Sequence, residues 1–187
     1  MTAWLWVLII IVAIVAIVAG AMWFAQRYRR RRALRERFGT EYDRTVGSVK
    51  SRRKAEGELA GRAERREELD IRRLAQAARE RYVAQWSELQ SRFVDRPQVA
   101  VVEADDLVSQ VMRDRGYPVD DFESQSQLVS VDHPDVVQSY RTAHGIYTKT
   151  TSGEASTEDL RRAVVAYRAL FDKLVTDGTG SGEHTGS

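Results

Sequence analysis

The chain opens on an uninterrupted apolar run and then settles into a helical alternation of apolar and polar positions that lasts almost to its end. Trp4 to Phe24 (WLWVLIIIVAIVAIVAGAMWF) holds 21 residues and no charge. At about 1.5 Å rise per residue, a helix of that length crosses a hydrocarbon core roughly 30 Å thick. The pattern therefore predicts a single N-terminal transmembrane helix. That helix continues through Arg37, because ALRERF favours helix and nothing breaks it before Gly39, where Thr40 can cap a new start. From Glu41 to Asp70 the pattern is polar almost all round, with Tyr42, Val46 and Val49 as one short apolar stripe. Gly47, Gly57 and Gly61 weaken a helix there, and Glu58–Arg62 and Glu68–Arg72 support it as i,i+4 pairs. A helix without a sustained apolar face reads as a solvated stalk.

Beyond Leu69 the apolar positions return at helical spacing. Leu74, Ala78, Tyr82, Trp86, Leu89 and Phe93 mark one face, interrupted at Asp95-Arg96-Pro97. A second helix turns Val101, Ala104, Val108, Val111 and Met112 inward and stops at Gly116-Tyr117-Pro118. Asp120 and Asp121 open a short helix carrying Phe122 and Leu128, and Asp132-His133-Pro134 signals another lined by Val136, Tyr140, Ala143 and Tyr147. Lys149 to Ala155 reads as a loop. Ser156 with Asp159 then begins the cleanest helix, with Leu160, Ala163, Val164, Tyr167, Leu170, Phe171 and Leu174 repeating at three and four. No strand alternation survives. The expected fold class is all-α: an anchor over 1–24, a basic juxtamembrane segment and stalk over 25–70, a bundle of four or five helices over 71–176, and a flexible, disordered tail over 177–187. Trp86, Phe93, Phe171 and Leu174 are the expected core.

Charge orients this layout. No charge precedes the apolar run, whereas Arg27, Arg29, Arg30, Arg31, Arg32, Arg35 and Arg37 follow it. Arginine near a span stays on the cytoplasmic side, which predicts a plasma-membrane protein with its N-terminus out and its C-terminal domain in the cytoplasm. Trp4 and Trp6 at one end and Trp23 and Tyr28 at the other suit the headgroup level as interface anchors. A cleaved signal peptide is the rival, with Ala19-Gly20-Ala21 as its site. Yet its charge would precede the run, and its apolar core would hold only about 7–15 residues. Ala16 and Gly20 have small-xxx-small spacing, read as ordinary small residues of a lone anchor.

The net charge of +2 hides a split. Arg27 to Arg81 carries 19 Lys/Arg against 10 Asp/Glu, whereas Tyr82 to Ser187 carries 10 against 17. The basic half should meet an anionic inner leaflet, and the acidic half should be held off that surface or folded back onto the basic segment. Cysteine and asparagine are absent, which excludes disulfides, cysteine-ligated zinc and N-glycosylation.

Candidate chemistry is sparse. His133 and His144, read on one helix face, lie about 16 Å apart, too far for one metal. His184 falls in the tail. Glu103, Asp105, Asp106, Asp114, Asp120, Asp121 and Glu123 form an acidic cluster in sequence, better explained by caps and a solvated face than by calcium or acid–base work. Gly178, Gly180 and Gly182 follow a helix, not a strand, so a phosphate loop fails its context. No catalytic, metal or cofactor residue is expected, and no cofactor. RYRRRRALRER is read as a topology and lipid-headgroup element, with nucleic acid the minor alternative.

The stretches LDIRRL, FVDRP, EADDLV, VMRDRGYP, LVSVDHP, YRTAH and TEDLRRAVVAYRALFDKL resemble a family of actinobacterial single-pass membrane proteins. The resemblance covers about Leu69 to Leu174 and implies one folded unit, with no activity, ligand or catalytic residue attached. The expected function is a non-enzymatic, membrane-anchored adaptor or scaffold with a protein partner on its acidic bundle. An accessory subunit of an envelope transport, division or stress-response complex is the alternative, and a secreted protein or a nucleic-acid binder comes behind both.

Overall fold

A computed structural model describes residues 2–176, without the side chains of residues 2, 3, 5–7 and 9–13. The described residues form eight helices and no strand, so the chain is all-α as its periodicity predicts. The tail expected over 177–187, His184 included, lies outside the described residues.

Helix α1 (Thr2–Phe38) runs unbroken through the apolar run and the arginines. It ends where Gly39 adopts φ 47°, a left-handed turn that glycine enters without a Cβ penalty. Along the apolar run, Trp4, Leu8, Ile14, Val15, Ile17, Val18, Met22, Trp23 and Phe24 are all exposed. A Cβ placed at Gly20 meets nothing within 4 Å among the described residues. Among the described residues, no helix is long and apolar enough to cross a membrane. Within the expected span, only the side chains of residues 5–7 and 9–13 lie outside the described part of the structure.

Helices α2 (Thr40–Ser48) and α3 (Arg52–Glu67) correct the expectation of a solvated stalk. The segment is helical, but α2 and α3 fold back on α1 and bury Phe38, Tyr42, Leu59 and Ala63 with Val131 in a small second core. Leu34 and Val46 pack at its edge. The stalk reading failed because α3 buries mostly small side chains: Ala55, Leu59 and Ala63 recur at i, i+4 and i+8, with one large apolar residue among them. Thr40 is the first residue of α2, and the preceding Gly39 makes no side-chain cap. Since α3 ends at Glu67, Glu68 and Arg72 share no helix and form no i,i+4 pair.

Five helices build the main core: α4 (Gln76–Phe93), α5 (Pro97–Arg115), α6 (Phe122–Asp132), α7 (Val137–Thr151) and α8 (Thr157–Thr176). α8 packs on α5 and α7, and α4 packs on α5. Trp86, Phe171 and Leu174 are buried there as expected, whereas Phe93 is only partly buried at the edge. α4 starts later than its apolar spacing predicts. Residues 70–75 are irregular, because Arg72 donates its N–H to the Arg115 carbonyl at 2.8 Å instead of to a helical partner. The buried Arg115 guanidinium returns the tie, donating to the Arg72 carbonyl at 3.3 Å and to the Leu174 carbonyl at 3.0 Å.

Boundaries elsewhere follow the turn chemistry. Pro97 opens α5, Gly116 closes it at φ 95°, and Asp121 caps α6 by accepting the Ser124 N–H at 2.8 Å. Ser156 and Asp159 exchange bonds reciprocally ahead of α8. Asp132-His133-Pro134 departs from expectation: Asp132 ends α6, His133 caps its C-terminus, and α7 starts only at Val137. α6 also lacks the single apolar stripe of its neighbours. It lies between the two cores, giving Leu128 and Val129 to the larger and Val131 to the smaller.

Candidate functional site

The seven arginines after the apolar run do not share one environment. Arg31 lies 3.1 Å from Glu56, Arg32 2.8 Å from Glu36, Arg35 3.4 Å from Asp43 and Arg37 3.0 Å from Glu67. Arg27 rests over the Trp23 ring, 5.4 Å from its centroid. Arg29 and Arg30 are exposed and have no carboxylate partner among the described residues. Of the expected interface aromatics, Trp4, Trp23 and Tyr28 are exposed, and the Trp6 side chain lies outside the described residues.

The order of the ion pairs fixes the direction of α3. Arg31 meets Glu56 and, farther down α1, Arg37 meets Glu67. The two helices therefore advance in parallel, and the N-terminus of α3 points back toward the apolar run. Between them lies a groove of about 380 Å³, walled by Trp23, Arg27, Arg30 and Arg31 from α1 and by Arg53, Glu56 and Gly57 from α3. Glu56 is its one carboxylate. That group faces Arg31 and also accepts the Tyr42 hydroxyl at 3.0 Å. Burial, followed by this bond to a carboxylate, raises the Tyr42 hydroxyl above its ordinary pKa. Arg53, from the segment read as stalk, escaped the sequence reading. The alternation of charge along α3 gave no hint that it would face α1.

A second polar centre joins this hairpin to the bundle. Glu41 on α2 is 2 % exposed and accepts two bonds from Arg141 of α7, both at 2.8 Å, and one from Arg62 of α3 at 3.1 Å. Arg62 also donates to Glu58, the i,i+4 partner expected from sequence. Burial pushes the Glu41 carboxyl up, but the Arg141 bonds and the charges of Arg141, Arg44 and Arg62 together hold it below the usual range. Arg66 adds a short pair with Asp132, which also accepts the Tyr117 hydroxyl, and Arg65 donates to Gln127 at 3.1 Å. The basic segment is thus folded onto the bundle through α6 and α7.

The acidic residues of the sequence cluster are dispersed among structural roles. Asp105 accepts the Tyr167 hydroxyl at 2.6 Å, Asp114 accepts Tyr82 at 2.6 Å, Glu103 pairs with Arg92 at 2.8 Å and Asp121 caps α6. Burial and then the Asp105 charge drive the Tyr167 hydroxyl far above its ordinary value. His133 and His144 do not share a helix: His133 is buried at the end of α6, while His144 on α7 stacks on Phe122 at 3.7 Å. His144 Nδ1 lies 3.4 Å from Asp105. Among the described residues, no three His, Asp or Glu side chains gather in a way that could hold a metal ion.

No protein-family model, curated protein or solved structure matches this chain.

Proposed function

We propose that the protein is a single-pass, membrane-anchored helical adaptor, non-enzymatic, with α1 in the plasma membrane, its N-terminus outside and the bundle on the cytoplasmic face. The carrying observation is the surface of α1. Every described large apolar side chain between Trp4 and Phe24 is exposed, on a helix continuous with the packed hairpin. An apolar surface of that extent requires cover, and lipid suits a segment without charge. The arginines at one end only support the orientation. The Glu41–Arg62–Arg141 cluster supports the adaptor role, since it couples the anchor to the bundle through α2 and α3 instead of a flexible tether. On this reading the acidic bundle is presented to a protein partner at a set distance beneath the inner leaflet.

The absence of native cysteine makes topology directly measurable. Thr2→Cys should react with a membrane-impermeant maleimide on intact cells, and Ser152→Cys only after permeabilisation. Labelling of Ser152→Cys on intact cells, or release of the chain into the medium, overturns the proposal.

A further inference from the structure

We propose that the groove between α1 and α3 binds the phosphate of one anionic phospholipid of the phosphatidylglycerol type, at the membrane face of the protein. The site deepens the anchored reading and rests on it.

Charge is the first reason. Four guanidinium groups, those of Arg27, Arg30, Arg31 and Arg53, border the groove against the single carboxylate of Glu56, already engaged by Arg31 and the Tyr42 hydroxyl. Arg27, Arg30 and Arg53 have no carboxylate partner among the described residues. A phosphodiester supplies the missing negative charge and accepts the planar N–H pairs of guanidinium. A choline or ethanolamine headgroup would bring a second cation among these arginines, which favours a headgroup with no amine.

Depth is the second reason. Arg27 and Arg30 stand three and six residues beyond Phe24, so at about 1.5 Å per residue they lie roughly 4.5 and 9 Å past the apolar run. The headgroup layer of one leaflet is about 5–7 Å thick, which places the Arg27 backbone within it and the Arg30 backbone roughly 2–4 Å beyond it, a gap that the long arginine side chain spans. The groove opens beside Trp23, next to the exposed apolar surface of α1, so acyl chains attached to a bound phosphate can run back along that surface.

The direction of α3 is the third reason. Its N-terminus faces the membrane, and the positive end of its peptide dipole is turned toward the headgroups. Ser51 at its N-cap makes no side-chain bond to the first amides, and Lys50, Arg52, Arg53 and Lys54 surround that end. Gly57 leaves the groove open, since a Cβ there would meet nothing within 4 Å.

The test uses the full chain in neutral detergent, offered equimolar phosphatidylglycerol and phosphatidylcholine, with retained lipid counted by native mass spectrometry. Wild type should retain one phosphatidylglycerol in preference to phosphatidylcholine. Arg53→Gln should weaken retention about fivefold and Arg30→Gln/Arg53→Gln about 25-fold, from the typical worth of one arginine near an anionic surface. Gly57→Leu keeps every charge and improves helix propensity, so it should raise the melting temperature while reducing retention. Arg161→Gln on α8 should change nothing. Equal retention of both lipids, or wild-type retention by both Arg53→Gln and Gly57→Leu, overturns the site. Inorganic phosphate stabilising the chain as much as phosphatidylglycerol would overturn the lipid assignment in favour of a soluble phosphate. Failure of the wild-type chain to float with vesicles would instead sink the anchored reading, whereas flotation without lipid preference sinks the groove alone.

Discussion

Trp86 and Phe171 stack with ring centroids 4.7 Å apart, and both are completely buried. The Arg168 guanidinium lies over both rings, 5.5 and 5.8 Å from their centroids, and closes the stack from outside. Truncating either ring leaves a cavity the size of an aromatic side chain between α4 and α8. Trp86→Ala or Phe171→Ala should therefore cost about 3–5 kcal/mol, read as a lower urea midpoint at unchanged slope. An unmoved midpoint for both variants contradicts the packing. These anchors were legible in the sequence because large rings at helical spacing have few alternatives to a core. The acceptors of the buried tyrosines were not legible. Tyr167 meets Asp105 from 62 positions away, and Tyr140 meets Gln125 across α6 and α7, pairings that only tertiary structure sets.

Elements differ in how plainly the sequence announces them. α5 and α8 present long stripes of Val, Leu and aromatic residues, and their ends carry Pro97, Gly116 and the Ser156–Asp159 box, so pattern and punctuation agree. α3 hides its packed face in alanines and in an arginine, Arg62, whose burial depends on carboxylates from two different helices. Residues 70–75 show the opposite error. Leu74 fits the helical period of Ala78 and Tyr82, yet the segment crosses the end of α5 with its backbone paired to Arg115, and Leu69, Ile71 and Leu74 still reach the core. Gly116 is the element-scale consequence of that crossing. Its φ of 95° disfavours any side chain, and a Cβ there would stand 2.5 Å from the Asp70 carbonyl oxygen. Gly116→Ala should cost more than the roughly 1 kcal/mol of the left-handed conformation alone, because the crossing strand of chain must also move. Thermal melting of Gly116→Ala beside Gly153→Ala, which shares a positive φ of 77° but whose added Cβ meets nothing within 4 Å, separates the two contributions. Equal melting temperatures for the pair would show that the crossing yields freely.

At the scale of the whole molecule, the basic and acidic halves seen in the sequence meet in a buried cluster that no single helix pattern contains. Among the described residues, Glu41 alone of the carboxylates touches both Arg62 of the hairpin and Arg141 of the bundle. Its pKa lies below the ordinary carboxylate value, so its contribution to stability is complete above the unfolded-state value of 4.5 and is lost as pH falls through the folded value. Once pH has fallen through that lowered value, protonated Glu41 no longer balances Arg62 and Arg141, and the hairpin should release from α7 before the larger core opens. Glu41→Gln should produce the same release at neutral pH. Its cost belongs at the lower end of the roughly 3–5 kcal/mol for a broken buried pair, because Glu58 still partners Arg62. Hydrogen exchange on the full chain distinguishes release from general unfolding. Amides of α2 and α3 should exchange faster in Glu41→Gln at pH 7, and in wild type at low pH, while α5 and α8 remain protected. If α3 and α8 instead lose protection together, the two cores form one cooperative unit, and the anchor is coupled to the bundle by shared α6 packing around Val131 and not by the buried carboxylate.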